Sequence, residues 1–214
     1  MLRVTEIFRS IQGESTHAGR PCTFVRLTGC PMRCVWCDSE YTFTGGDHVS
    51  IAEVMDRVRE FGCRLVEVTG GEPLAQGAAF DLTASLCDEG YEVLIETGGY
   101  FSTEGLDERA RIILDVKCPG SGEVERNYWP NLERLRPDRD EVKFVVATAG
   151  DWEFARQVIS DHQLEQRTRA ILVSPAWGTM DLKELADLIS ASGLNVRMQL
   201  QIHKYIWGPE ARGV

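Results

Sequence analysis

The sequence predicts an α/β fold, an incomplete (β/α) barrel with shortened crossovers, in one domain spanning residues 1–214. Short apolar runs alternate with helical periodicity, a pattern typical of repeated β-α units around a largely parallel sheet. Two connections, Gly98–Ala110 and Cys118–Asp140, lack a convincing helical period and are therefore predicted to be abbreviated. The length suits one full core, and no linker, internal repeat or low-complexity tract divides the chain.

Local signals predict the individual elements. Eight apolar runs are predicted as strands: Val4–Phe8, Thr23–Leu27, Leu65–Thr69, Glu92–Glu96, Arg111–Lys117, Glu141–Ala147, Ala170–Ser174 and Val196–Ile202. Helices are predicted after Ser50 and after Asp181, because Glu53 and Glu184 follow three residues on and both pairs resemble capping boxes. A further helix is expected from about Asp151 to about His162. Three glycines stand where helices should end: Gly62, Gly90 and Gly193.

Composition narrows the class of partner. The formal charge of −10 argues against direct binding of nucleic acid, which needs clustered Lys and Arg. The sequence contains no run of about 18 apolar residues, so no membrane span is expected. Met1–Ser10 lacks the features of a signal peptide, so a cytoplasmic location is expected. A small-molecule substrate remains compatible with all of this, because local charge can oppose the global sign.

The cysteines point to a metal centre. Cys30, Cys34 and Cys37 lie together on one loop directly after a predicted strand, and seven cysteines in all is an odd number. Thiolates are the usual ligands of iron-sulfur clusters, and three of them can hold three irons while a fourth iron keeps an open position. The other cysteines stand in apolar surroundings and are expected to be small core residues: Cys22, Cys63, Cys87 and Cys118.

A structural zinc loop is the alternative interpretation of the same cysteines. Cys22 or His17 would then serve as the fourth ligand. Zinc sites usually combine two Cys or Cys/His knuckles some distance apart, and the sequence offers no second knuckle. The spacing therefore favours an iron-sulfur cluster over zinc.

Two motifs resemble those of the radical S-adenosylmethionine (SAM) superfamily. The first is Cys-x3-Cys-x2-Cys with Trp36 just before its last cysteine, and the second is Gly70-Gly71-Glu72-Pro73 at the end of the next predicted strand. The resemblance implies that SAM chelates the open iron, that Trp36 lies near the adenine, and that Glu72 accepts from the SAM ammonium. Further cofactor contacts are expected from Cys37, Asp38, Gly70, Gly71, Lys117, Cys118, Pro119, Ser174, Pro175 and Ala176.

Segments at both ends of the chain resemble the 7-carboxy-7-deazaguanine synthase family within that superfamily. These segments are Phe8–Ser15, Gly19–Pro21, Phe24–Cys30, Cys37–Ser39 and Gln199–Lys204. The resemblance implies contraction of 6-carboxy-5,6,7,8-tetrahydropterin to 7-carboxy-7-deazaguanine with release of ammonia, a step toward queuosine and related deazapurines. It also implies that a 5′-deoxyadenosyl radical, formed from SAM, abstracts a hydrogen atom from the substrate and later returns it.

The same resemblance assigns roles around the substrate. Arg26 would pair with the substrate carboxylate, Gln12 and Glu14 would contact the pterin edge, and His203 would transfer a proton. Glu14 and His203 are thus the expected catalytic residues, and the remaining expected substrate contacts are Ile11, Gly13, Thr69 and Pro209. The residues alone leave other interpretations open: a surface arginine, a solvated loop charge and a core histidine.

Magnesium, a reductant and a second copy of the chain complete the expectations. Ser39 matches a hydroxyl position that resembles the family's Mg²⁺ site, although many relatives carry Thr there. A flavodoxin- or ferredoxin-like reductant and a homodimer are implied by the resemblance. Two alternatives remain from the sequence: an activase that installs a glycyl radical in a protein partner, and a non-catalytic zinc-binding module.

Overall fold

One open sheet organises the chain. The computed structural model describes residues Met1–Val214. Its strands are β1 (Leu2–Ile11), β2 (Pro21–Leu27), β3 (Asp47–Val49), β4 (Leu65–Gly70), β5 (Glu92–Thr97), β6 (Arg111–Val116), β7 (Glu141–Val146), β8 (Ala170–Pro175) and β9 (Arg197–Met198). Its α-helices are α1 (Ile51–Phe61), α2 (Ala78–Asp88), α3 (Pro130–Glu133), α4 (Ala149–Asp161), α5 (Leu164–Arg167), α6 (Leu182–Ser192) and α7 (Ile202–Trp207).

The sheet order confirms the predicted incomplete barrel. The nine strands follow the order β3-β1-β2-β4-β5-β6-β7-β8-β9, and the first and last do not pair, so the barrel stays open. From β2 to β9 neighbouring strands run parallel, whereas β1 is antiparallel to both β2 and β3. None of the helices combines the length and apolar character that crossing a bilayer requires.

Both crossovers predicted to be short are short. Between β5 and β6 the chain contains only turns and bends, with no helix. Between β6 and β7 it forms two 3-10 turns and the four-residue helix α3. Asn131 anchors these two connections to each other, because its side-chain oxygen accepts from the Thr103 backbone N–H and its amide donates to the Phe101 carbonyl. Hydrogen bonds between the two connections thus hold them in place where a regular β-α unit would have a packed helix.

The last predicted strand, Val196–Ile202, is largely wrong. Only Arg197 and Met198 pair, both with β8, and Ile202 already begins helix α7. The chain leaves the edge of the sheet because it bonds instead to the loop after β1, where the Ile202 N–H donates to the Gly13 carbonyl at 3.0 Å. His203 therefore lies on a helix, not at a strand end as the sequence suggested. The sequence also gave no signal for the three-residue strand β3 or the one-turn helix α5.

The helix boundaries follow the capping signals closely. Ser50 and Glu53 form the reciprocal capping box of α1, and the Asp181 carboxylate accepts from the Glu184 N–H at the start of α6. Helix α4 begins at Ala149, two residues earlier than expected, with Thr148 as its N-cap. The Asp151 carboxylate instead accepts from the backbone of Gly120 and Ala147, so it ties α4 to the crossover after β6.

Alternation along the strands separates an outer core from the barrel interior. Two large apolar clusters pack the outer face against the helices. A small third cluster faces inward and forms an apolar floor: Cys22, Phe24, Leu65, Leu94 and Ile113. The four cysteines outside the predicted cluster loop are all buried, as expected of core residues. Further toward the carboxyl ends of the strands the inward-facing side chains are polar, so the interior there suits a polar ligand.

Candidate active site

A single cavity at the carboxyl ends of the parallel strands collects most of the predicted site residues. This is the end at which barrel-like α/β folds place ligands. The predicted residues that line the cavity are Ile11, Gln12, Gly13, Glu14, Arg26, Cys30, Cys34, Trp36, Cys37, Asp38, Ser39, Thr69, Gly70, Gly71, Lys117, Ala176, His203 and Pro209. Residues from the two ends of the chain thus meet in one place, as the family resemblance implies.

The cluster loop packs directly on the Gly70-Gly71 turn. The Glu72 N–H donates to the Gly29 carbonyl at 2.8 Å, and the Gly29 N–H donates to the Thr42 carbonyl at 2.7 Å. A Cβ on Gly71 would lie 2.5 Å from the Gly29 carbonyl oxygen, and a Cβ on Gly70 would lie 2.2 Å from the Leu27 oxygen. In this structure the two glycines are therefore required for the close approach of β4 to the cysteine loop.

The three thiols of the loop are half-buried and line the cavity. Burial raises the pKa of Cys34 to about 11 and also raises the pKa of Cys30, while the ammonium of Lys117 opposes both shifts. Metal ligation requires the thiolate forms, so a cationic partner at this end of the cavity suits a thiolate-bound cluster. Lys117 also donates to Asp115 at 2.9 Å.

The donor set fits a 4Fe-4S cluster better than zinc. In a 4Fe-4S cluster each cysteine binds a different iron, so the thiols need not converge on one point. A structural zinc ion needs four ligands around one position, and the structure contains no group of three or more His, Cys, Asp or Glu side chains arranged to hold one ion. Cys22 lies in the apolar floor, and His17 contacts Arg20 and Glu92, so neither completes the loop.

Glu72, the expected partner of the SAM ammonium, does not line the cavity. Its carboxylate is fully buried and accepts from the Thr97 hydroxyl and from the backbone N–H groups of Leu74 and Gly98. Burial raises the pKa of Glu72, although these hydrogen bonds oppose the shift. Because its oxygens are occupied within the protein, Glu72 here joins the turn after β4 to the end of β5.

Four other expected cofactor contacts also lie outside the lining. Cys118 packs in the outer apolar core, in the same cluster as Trp152. Ser174 is buried, and its hydroxyl has no hydrogen-bond partner. Pro119 begins a 3-10 turn and Pro175 ends β8. Of the two strand-end runs, Lys117 and Ala176 line the cavity, and the other four residues do not.

A buried ion network that the sequence analysis did not identify crosses the interior. The Lys143 ammonium on β7 donates to Glu14 at 2.7 Å and to Glu96 at 2.6 Å, and it lies 4.0 Å from Asp115. Burial lowers the pKa of Lys143, but the three carboxylates outweigh burial and raise it well above its usual value. A lysine between the apolar residues Val142 and Phe144 was the available sequence signal.

The network sets the charge of Glu14. Burial raises the pKa of the Glu14 carboxyl, yet the charge and hydrogen bond of Lys143, helped by a hydrogen bond from Gln201, lower it overall. Glu14 is thus held ionised in the cavity. His203 reaches the same region: a Cβ on Gly13 would lie 2.1 Å from its Nδ1 atom, so only glycine fits there. Burial lowers the pKa of His203, which favours a neutral imidazole.

Arg26 is oriented by a second carboxylate. Its Nε donates to Glu6 at 2.8 Å, and the Tyr41 hydroxyl donates to the same Glu6 oxygen at 2.8 Å. Thr69 lies beside Arg26 in the register between β2 and β4. Only the Nε atom of Arg26 bonds to Glu6, so the two terminal nitrogens remain available to an anionic ligand.

The rim of the cavity is formed by helix α7 and the residues after it. Lys204 donates to Asp38 at 2.7 Å and so links α7 to the cluster loop. Burial opposes ionisation of Asp38, but the charge and hydrogen bond of Lys204, together with Lys143 and Gln201, lower its pKa to about 2. Pro209 lines the cavity together with residues 211–214, so the tail past Pro209 adds to this wall. The Arg212 guanidinium lies 4.2 Å from the centre of the Tyr41 ring.

Comparisons with known proteins agree with this geometry. Residues 24–120 match the family model described as Radical SAM superfamily. Over the whole chain the sequence is 45% identical to 7-carboxy-7-deazaguanine synthase of Chlorobaculum tepidum, covering 97% of that protein. It is 44% identical to the enzyme of the same name from Koribacter versatilis, with both chains fully covered.

Solved structures support the fold. The crystal structure of QueE from Escherichia coli matches with a TM-score of 0.76 at 23% identity and covers 93% of each chain. A structure of TYW1 with a lysine-pyruvate adduct matches with a TM-score of 0.55 at 12% identity, over 79% of this chain and 72% of that one. Given the full-length sequence identity to its relatives, the chain belongs to the 7-carboxy-7-deazaguanine synthase family of radical SAM enzymes.

Proposed function

We propose that this enzyme contracts the ring of 6-carboxy-5,6,7,8-tetrahydropterin to 7-carboxy-7-deazaguanine and releases ammonia. One observation carries the proposal: a polar set suited to a carboxylated heterocycle lines the same cavity as three cluster-forming thiols. That set comprises Gln12, Glu14, Arg26 and His203. The two relatives described in the preceding subsection are both named for this product.

The cofactors and the protein divide the chemistry. A 4Fe-4S cluster held by Cys30, Cys34 and Cys37, together with SAM, supplies the carbon radical chemistry that no side chain can provide. Arg26 lines the cavity, and its two terminal nitrogens, which have no hydrogen-bond partner in the protein, suit a bidentate bond to the substrate carboxylate. Trp36 and the Gly70-Gly71 backbone line the cofactor end.

Proton transfer is assigned to Glu14 and His203, which both line the cavity. Glu14 is ionised because Lys143 lowers its pKa, so it can accept a proton from a substrate nitrogen or carbon. His203 has a lowered pKa, so its neutral imidazole can donate or accept at neutral pH. Gln201 donates to Glu14 at 2.8 Å and restricts the carboxylate to one orientation. Ammonia loss and aromatisation both require such proton movements.

Magnesium binding at Ser39 is part of the proposal. The Ser39 hydroxyl lines the cavity, 3.9 Å from the Cys37 sulfur. No group of acidic side chains forms a ready-made cation cage around it. Mg²⁺ commonly takes few protein ligands and completes its shell with water and substrate oxygens, so a single hydroxyl plus the substrate carboxylate suits it.

Several accompanying features remain predictions. A flavodoxin- or ferredoxin-like protein is expected to deliver the electron, since the cluster must be reduced. A homodimer is expected from the resemblance, and sedimentation at the monomer mass would contradict it. The cytoplasmic location, the single domain and the absence of direct nucleic-acid binding also stay predictions from the sequence.

The activase alternative fits the rim poorly. An activase must admit a segment of a protein partner through an open groove. Here helix α7 and the tail after Pro209 line the cavity, and the Asp38–Lys204 pair fixes α7 to the cluster loop. Such a covered cavity suits a small heterocycle.

The decisive experiment is anaerobic turnover of 6-carboxytetrahydropterin with SAM, dithionite and magnesium, followed by mass analysis of the product. We expect a product with the mass of 7-carboxy-7-deazaguanine and one equivalent of ammonia, with SAM not consumed in proportion. Glycine-radical formation in a protein partner, or no pterin conversion by iron-loaded enzyme, would contradict the proposed function.

A further inference from the structure

A buried carboxyl group in the barrel interior, that of Glu67, forms no ion pair and yet lines the cavity. Glu67 lies on β4, two residues before Thr69, and its side chain faces inward beside Phe24 and Leu94 of the apolar floor. The residue is 1% exposed, yet it lines the active-site cavity. It therefore reaches the ligand space from below, at the end opposite the rim.

Glu67 is the exception among the carboxylates that line the cavity. Each of the others forms an ion pair: Glu14 and Glu96 with Lys143, Asp115 with Lys117, and Asp38 with Lys204. The carboxyl of Glu67 has a single hydrogen-bond partner, the Gln12 side-chain amide, at 2.6 Å. Burying a carboxyl with so few partners is costly, and a structural role would be served as well by a neutral residue.

The surroundings of Glu67 resemble half of a binding site for a flat, polar heterocycle. Phe24 neighbours it in the register and also lines the cavity, where it stacks on Phe8 with ring centres 5.0 Å apart. One oxygen of Glu67 accepts from Gln12, and the other has no hydrogen-bond partner in the protein. Arg26 lies two residues beyond Phe24 along β2, nearer the cluster loop. Arg26, which is expected to bind the substrate carboxylate, is therefore separated from Glu67 along the barrel axis.

We propose that Glu67 is a substrate-binding residue that accepts hydrogen bonds from the 2-amino group and the ring N3–H of the pterin. This inference rests on the proposed function, since it takes the substrate to be a pterin. The two N–H groups lie side by side on one edge of the ring, which matches the two oxygens of a carboxylate. With Arg26 on the substrate carboxylate and Glu67 on the opposite edge, the ring is held at both ends.

The experiment measures binding directly. Calorimetric titration of 6-carboxypterin, which carries the same edge but cannot react, is performed anaerobically on the cluster-loaded enzyme with SAM. Glu67→Gln keeps the shape and removes the charge and one acceptor, so we expect about 10- to 100-fold weaker binding. Glu141→Gln is the matched control, because Glu141 is equally buried but bonds to Thr16 and does not line the cavity. It should bind 6-carboxypterin within about twofold of wild type.

A second binding measurement uses a ligand that lacks the 2-amino group. Wild-type enzyme should bind 6-carboxypterin at least about 10-fold more tightly than its 2-desamino analogue, and Glu67→Gln should lose most of that discrimination. If Glu67→Gln folds poorly, Glu67→Asp keeps the charge but withdraws it by one methylene, and it should show the same loss. Iron content and the melting temperature of each variant confirm that folding is intact.

The outcomes separate the two proposals. Wild-type turnover of the tetrahydropterin, combined with unchanged affinity and unchanged discrimination in the Glu67 variants, would overturn the role of Glu67 alone. Absence of both turnover and 6-carboxypterin binding in wild type would overturn the proposed function and this inference with it.

Discussion

The two ends of the active-site cavity are held together in different ways. At the cluster end, Cys30, Cys34 and Cys37 stand on an irregular loop, half-buried, and Val35 between them is 76% exposed. At the interior end, Lys143 is almost completely buried between two carboxylates on neighbouring elements. The charges at the interior end are thus paired within the protein, whereas the three thiols of the loop await the iron-sulfur cluster as their partner. The difference is that protein contacts alone order the interior end, whereas the thiols at the other end are suited to an inorganic cluster.

The largest effect should come from the loop thiols. Cys30→Ala, Cys34→Ala and Cys37→Ala should each abolish cluster assembly and turnover, because each thiol supplies the sole protein ligand to one iron. Iron and sulfide content after anaerobic reconstitution is the measurement. Cys22→Ala, Cys63→Ala and Cys87→Ala are the controls and should retain the cluster, since these residues are buried in the core. Full iron loading in any of the first three variants would refute the assignment.

Breaking the interior network should destabilise the protein itself. Lys143→Met leaves Glu14 and Glu96 buried without their cation, so we expect a loss of about 3–5 kcal/mol in the free energy of unfolding at neutral pH. The loss should shrink toward pH 5, because Lys143 lowers the pKa of Glu14 and its removal lets that carboxyl protonate. Urea denaturation checks both statements.

The matched control for this variant is Lys183→Met, which breaks the exposed pair with Asp187 on α6. It should cost no more than about 1 kcal/mol. Equal losses in the two variants would show that the interior is not held by its charges.

Ser39 tests whether the cofactor end also needs a second metal. Ser39→Ala should lower turnover on the order of 10- to 100-fold and weaken its dependence on magnesium, with the cluster and SAM binding intact. Ser39→Thr should retain function, because it keeps the hydroxyl oxygen. The measurement is a magnesium titration of both variants under anaerobic turnover. Wild-type activity and an unchanged magnesium response in Ser39→Ala would rule out a ligand role.

The pH dependence of stability tests Glu67 in the free enzyme. Burial, with the nearby charge of Glu96, raises the pKa of Glu67 well above its usual value. The folded state therefore binds the proton more tightly than the unfolded state, and stability falls as the pH rises through the folded pKa. Glu67→Gln should remove this penalty and stabilise the protein by about 1–3 kcal/mol at pH 8, but less at pH 5. Equal stability of wild type and Glu67→Gln at pH 8 would contradict the claim that burial of Glu67 without a cation is costly.

The smallest effect should come from the scaffold outside the cavity. Ser50→Ala removes the N-cap of α1 and should cost about 1 kcal/mol in the free energy of unfolding. Ser50→Thr should restore most of that stability. Turnover of both variants should match wild type at 25 °C, because α1 packs on the outer face of the sheet. A loss of turnover without a loss of stability would show that α1 influences the site.

Much of the scaffold was predictable from local patterns. Apolar runs identified seven of the nine strands, and the lack of helical period correctly identified both shortened crossovers. These features depend on residues close in sequence, where propensity, capping and periodicity act directly. The strand predicted at Val196–Ile202 failed because hydrogen bonds to the loop after β1, far away in sequence, redirected the chain.

The features of the active site also divide into those that local sequence patterns predict and those that depend on contacts between distant residues. By itself the sequence determined the family, and it predicted the cluster ligands and the other residues whose spacing along the chain carries a recognisable motif. Only the tertiary structure decided that Lys143 pairs with Glu14, that the Glu72 carboxylate is bonded within the protein, and that Glu67 has no cationic partner. The physical reason is that pKa values and ion pairs depend on distances between strands, which the order of residues along any one strand does not contain.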